Sequence, residues 1–121
     1  MSQYIDGFVI PIAKDKVEDY RQLAERASKV FKEHGALDYW ECVGDDFDAK
    51  EFVPFPQLAK AGPDETVIFS WIAFASREHR DEVNAKVMAD PRMKEMMADE
   101  DNQPFDCKRM AYGGFKTLLH V

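Results

Sequence analysis

The sequence predicts an α+β domain in which four antiparallel strands form one sheet and two helices cover one of its faces. Three observations predict it. The apolar segments follow the order strand, helix, strand, strand, helix, strand. The first and third strands carry apolar residues on both parities. The length, 121 residues, allows one core, because a chain of this size buries roughly two-thirds of its extended surface on folding. A single domain over residues 1–121 is therefore expected.

The first strand runs from Tyr4 to Ile12, with Phe8, Ile10 and Ile12 on one face and Ile5 and Val9 on the other. Asp15 and Glu18 have the spacing of a capping box. After them Val17, Tyr20, Leu23, Ala24, Ala27, Val30 and Phe31 recur at helical spacing, with charged residues between them, until Gly35 ends the helix. Ala36 to Val43 reads as a second strand leading to Gly44 and the acidic Asp45, Asp46 and Asp48. Three prolines and a glycine between Lys50 and Asp64 predict mostly loop.

Thr66 to Ala75 is the clearest strand: Val67, Phe69 and Trp71 alternate with Ile68, Ile72 and Phe74, so both faces call for cover. Ser76 is placed to cap a second helix to about Met88. Asp90-Pro91 then starts a short helix whose apolar side is Met93, Met96 and Met97. Arg109 to Leu119 is the last strand, where Gly113-Gly114 suggests a bulge or a close backbone approach. The order is the ferredoxin-like βαββαβ pattern. Two helices cover only one face of such a sheet, and strands apolar on both parities leave a large hydrophobic patch on the other. A second copy of the chain is the expected cover, giving a homodimeric α+β barrel.

Composition narrows the function classes. Asp and Glu outnumber Lys and Arg by 23 to 16, and the longest basic cluster is Lys108-Arg109, so no nucleic acid is expected as a partner. No apolar run reaches the roughly 18 residues that span a bilayer, and the first residues lack the basic start of a signal peptide. No membrane partner is expected. Cys42 and Cys107 stand far apart and read as free thiols in a reducing compartment, so the expected location is the cytoplasm.

Specific strings add to this reading: Tyr4-Ile5-Asp6-Gly7-Phe8, Phe69-Ser70-Trp71-Ile72, Asp90-Pro91-Arg92-Met93, and Pro104 to Met110 leading into Tyr112-Gly113-Gly114-Phe115. Together they resemble the YbaA-like family of small uncharacterised bacterial proteins along nearly the whole chain. The resemblance implies the dimeric α+β barrel and brings no reaction and no catalytic residue with it.

Candidate ligand-binding residues are the polar and aromatic groups set in otherwise apolar strands: Asp6, Tyr39, Trp40, Cys42, Ser70, Trp71, Arg109 and Tyr112. A buried carboxylate or guanidinium is costly unless paired, so Asp6 and Arg109 read in two ways. Either they form a structural ion pair between the first and last strands, or with Tyr112 and Trp71 they line a pocket where Arg109 grips an oxygen of the ligand. Tyr39, Trp40 and Trp71 could stack on a planar compound or simply fill core. Cys42 has no basic neighbour in sequence and reads as a packed thiol rather than a nucleophile. His79 belongs to the first turn of the second helix.

No metal or cofactor is expected. His34, His79 and His120 do not form a zinc motif, and the acidic segment at Asp45 lacks calcium-loop spacing, so it reads as a solvated loop. Gly113-Gly114 lacks the phosphate-loop pattern. The leading expectation is a small-molecule pocket in a homodimer. One alternative is cofactor-independent catalysis on a small aromatic or carbonyl compound, with Tyr112 or Asp6 as acid or base. The other is a non-catalytic interaction or stress-linked dimer with a solid interior.

Overall fold

The computed structural model describes residues 2–121. Four strands, β1 (Tyr4–Ala13), β2 (Asp38–Val43), β3 (Glu65–Phe74) and β4 (Ala111–Lys116), form one antiparallel sheet in the order β2-β3-β1-β4. The helices are α1 (Val17–Glu33), a short α2 (Phe55–Leu58), α3 (Arg77–Ala89) and α4 (Pro91–Ala98). The expected ferredoxin-like α+β architecture is present, with α1, α3 and α4 packed on one face. The long loop after Lys50 contains α2, which starts at Pro54-Phe55-Pro56 because proline suits a first helical turn.

Local chemistry explains most boundaries. Gly35 takes a φ of 114°, the left-handed conformation that lets the end of α1 turn back on itself, and its amide donates to the Lys32 carbonyl. Ser76 caps α3 by accepting from the His79 amide at 3.0 Å. The His79 ring in turn accepts from the Ala75 amide and fixes the turn out of β3. Asp90 caps α4 through the Arg92 amide at 2.9 Å, with Pro91 at the first helical position.

Four expectations are corrected. The Asp15–Glu18 capping box does not form: Lys14–Lys16 winds into a single 3-10 turn, α1 starts one residue later than the box requires, with Lys16 at the cap position, and the Glu18 carboxylate binds Arg21 instead. The second strand begins at Asp38, because Gly35 and Ala36 are used in closing α1. The last strand begins at Ala111, since Cys107–Arg109 forms a 3-10 turn capped by Asp106, and it ends at Lys116. Gly113-Gly114 is no bulge, because β1 and β4 pair without interruption from Tyr4↔Lys116 to Val9↔Ala111.

The close approach that the glycines also suggested is present at Gly114. A Cβ on Gly114 would collide with the Tyr4 hydroxyl and the Arg80 guanidinium on the helix-covered face. On the opposite face, Gly7 gives the Phe115 ring room to lie across it.

The core under the helices falls into two clusters. One gathers Val30, Ile72, Phe74, Val83, Val87 and Met93; the other gathers Ile10, Ile12, Tyr20, Ala24 and Ile68. On the outer face of the sheet, Trp40 stacks on its cross-strand partner Trp71 with ring centroids 5.2 Å apart, and Phe69 packs beside them. In the single chain Trp40, Phe69 and Phe115 are 47%, 45% and 61% exposed, so this face lacks the cover that β3 calls for.

Candidate functional site

Between the two core clusters lies a cavity of about 210 Å³, bounded by the sheet, α1, α4 and the segment around Phe105. Its walls are almost wholly apolar, with Phe8, Phe31, Met93, Met96, Phe105 and Met110 among them. The polar exception comes from strand alternation. On β2, Asp38, Trp40 and Cys42 point to the outer face, while Tyr39 and Glu41 point under the helices. Glu41 pairs across to Ser70 of β3, so a carboxyl and a hydroxyl sit side by side on the cavity floor.

Two tyrosines complete the cluster. The Tyr20 hydroxyl, from α1, donates to Glu41 Oε1 at 2.7 Å, and the Tyr39 hydroxyl donates to Glu41 Oε2 at 2.7 Å. Burial pushes the Glu41 carboxyl above its ordinary range, against the opposing pull of the Tyr20, Tyr39 and Ser70 hydroxyls. Burial, reinforced by the charge of Glu41, pushes both tyrosines up as well, so they remain protonated donors. The result is a hydrogen-bonded carboxyl at one end of an apolar chamber, the usual composition of a small-ligand site.

Asp6 belongs to a second constellation. It is 1% exposed, and its partner is Arg80 of α3, with Nε 3.4 Å from Oδ1. Asn84 and Tyr112 donate to Asp6 Oδ2 at 3.3 and 3.2 Å, and Arg80 also donates to the Tyr4 hydroxyl at 3.1 Å while lying over that ring. Burial raises the Asp6 carboxyl, opposed by the Asn84 hydrogen bond and the Arg80 charge. Tyr112 stacks on Phe8, which lines the cavity, but neither Asp6 nor Tyr112 does.

Arg109 is elsewhere. It forms a forked pair with Glu65 at 2.7 Å to each oxygen and donates to the Lys60 carbonyl at 3.0 Å, tying the loop before β3 to the turn before β4. The pair holds the Glu65 carboxyl down at about 2, mainly through the Arg109 hydrogen bonds. Both readings of an Asp6–Arg109 pair are thereby corrected, because each partner is committed to a different residue. A wider groove of about 720 Å³ passes Arg109, but the guanidinium there is already spent on Glu65.

The eight sequence candidates thus divide by face and end. Tyr39 and Ser70 line the cavity. Asp6 and Tyr112 share the Arg80 network, and Trp40, Cys42 and Trp71 lie on the outer face. Sequence reasoning missed Glu41 and Tyr20. The available signal was parity: Glu41 shares the inward face of β2 with Tyr39, and Tyr20 lies on the apolar stripe of α1.

Comparison with known proteins agrees with this architecture. Residues 3–107 match the family described as protein of unknown function (DUF1428), and the chain belongs to that family. It is 44% identical over 117 residues to the uncharacterized protein YbaA of Escherichia coli strain K12, covering 97% of each chain, and equally similar to YbaA of Shigella flexneri. A crystal structure of a NIPSNAP family protein with unknown function from Agrobacterium tumefaciens superposes with a TM-score of 0.60 at 18% identity. That match covers 95% of this chain and 87% of the other, a likeness of fold alone. Among the described residues no helix is long and apolar enough to cross a membrane.

Proposed function

We propose that the protein binds a small, mainly apolar molecule in the cavity between helices and sheet, and that it works as a homodimer whose sheets cover each other's aromatic outer face. The observation that carries the binding reading is the cavity of about 210 Å³ with a single hydrogen-bonded carboxyl in apolar walls. An apolar cavity of about 150 Å³ stays dry and accepts benzene, so this chamber has room for a ring with a short substituent. The dimer reading is supported by the Trp40, Trp71, Phe69 and Phe115 surface, an apolar area of a kind that isolated soluble chains seldom present to water.

The test is thermal denaturation in buffer saturated with propylbenzene. A ligand bound only by the folded state raises the melting temperature. The reading expects such a rise, and expects Ala27→Phe, which places a ring inside the cavity, to remove it while the unliganded variant still melts cooperatively. An unchanged melting temperature for the unsubstituted protein contradicts the reading.

A further inference from the structure

We infer that the cavity selects an uncharged aromatic compound carrying one hydrogen-bond-donating head group, a phenol-type hydroxyl, which Glu41 accepts. The inference rests on the reading that the cavity binds a small molecule and goes beyond it by assigning the chemistry of the ligand.

The argument is a count of donors and acceptors. Both oxygens of Glu41 accept from tyrosine hydroxyls, the pattern of a carboxylate, which offers about four acceptor positions. Tyr20 takes one on Oε1, Tyr39 takes one on Oε2, and the Ser70 hydroxyl, cross-strand from Glu41, lies beside the same carboxyl. At least one position is left over. The hydroxyl hydrogens of the two tyrosines are spent on Glu41, so neither can donate to a ligand.

The other polar lining group has the same bias. Gln103 uses its side-chain nitrogen on the carbonyls of Met96 and Asp99, at 2.8 and 3.0 Å, which leaves its amide oxygen free to accept. Among the described residues no Lys, Arg or His lines the cavity, and the remaining donor is the thiol of the exposed Cys107, a weak one. The side chains around this chamber therefore have acceptors to spare and almost no donors. A ligand carbonyl, ether or carboxylate would lose its water and gain nothing in return. A carboxylate would also place a second negative charge beside Glu41 with no cation to offset it. A hydroxyl fits, because it supplies the donor that the site lacks.

The walls specify the rest of the molecule. Phe8, Phe31, Phe105 and Tyr39 offer ring faces and edges, and Met93 and Met96 offer polarisable sulfur, a lining suited to an aromatic body.

The experiment measures dissociation constants by calorimetry for three probes of one shape: 4-propylphenol, its methyl ether 4-propylanisole, and 4-propylbenzoate. A hydrogen bond to a charged acceptor predicts that the phenol binds about tenfold or more tighter than the ether, with the benzoate weaker than both. Glu41→Gln, close to isosteric, is expected to shrink the phenol's advantage to about threefold or less while keeping the native circular dichroism spectrum. The three-probe series on the unsubstituted protein decides the matter without the variant. Equal affinity for phenol and ether overturns the role of Glu41 and leaves the binding cavity standing. A preference for the benzoate overturns the assigned chemistry. Binding of none of the three overturns the cavity itself and this inference with it.

Discussion

Glu41 and Asp6 are both carboxyls under the helices, both shifted upward by burial, yet they do different work because their neighbours differ. Glu41 is met by the hydroxyls of Tyr20 and Tyr39, which hold its geometry while it lines the cavity. Asp6 is met by the guanidinium of Arg80, and its remaining space is filled by Asn84 and Tyr112, so nothing can reach it. The first arrangement suits recognition and the second suits architecture. Arg80→Ala leaves Asp6 as a buried charge without a counter-ion and should destabilise the fold by about 3 kcal/mol, read from urea denaturation. A loss near zero would mean that Asp6 is neutral or hydrated in the folded protein. Arg109→Ala, which touches only a partly exposed pair with Glu65, should lower stability far less and leave probe binding intact.

At the scale of elements, the strands were the legible part of the sequence and the joints between elements were not. Period-two alternation placed β1 and β3 to within a residue or two of their ends, and Ser76 and Asp90 marked helix starts through capping chemistry that acts over three residues. The Asp15–Glu18 box failed because the Glu18 carboxylate has a competing local partner in Arg21, which spacing does not reveal. Arg109 was misplaced for a related reason: a 3-10 turn before β4 moved it off the sheet, and its partner Glu65 is brought near only by the register of the whole sheet. Glu41 was passed over because a single charge in a strand usually points to water. Only the position of α1, which brings Tyr20 over it, reverses that expectation. The outer face of the sheet carries its own prediction. Sedimentation equilibrium at micromolar concentration should give twice the mass of one chain, and Trp71→Asp should give a folded monomer. A monomeric unsubstituted protein would contradict the dimer.

For the molecule as a whole, the two faces of one sheet differ in kind. Its inner face is split by the cavity between two core clusters, and its outer face is a continuous aromatic surface made possible by Gly7, over which Phe115 lies. Dimerisation through the outer face would stiffen the floor of the cavity without touching its contents, since Trp40 and Glu41 are adjacent residues on opposite sides of β2. The acid–base candidates Asp6 and Tyr112 lie outside the cavity. The central claim is that the chamber receives a donor-headed aromatic compound against Glu41. A crystal structure of the protein soaked with 4-propylphenol tests it most directly. The account predicts the ring lodged between Phe8, Met93 and Phe105 with its hydroxyl within hydrogen-bonding distance of the Glu41 carboxyl. A chamber closed by its own side chains, with no ring inside, would contradict it.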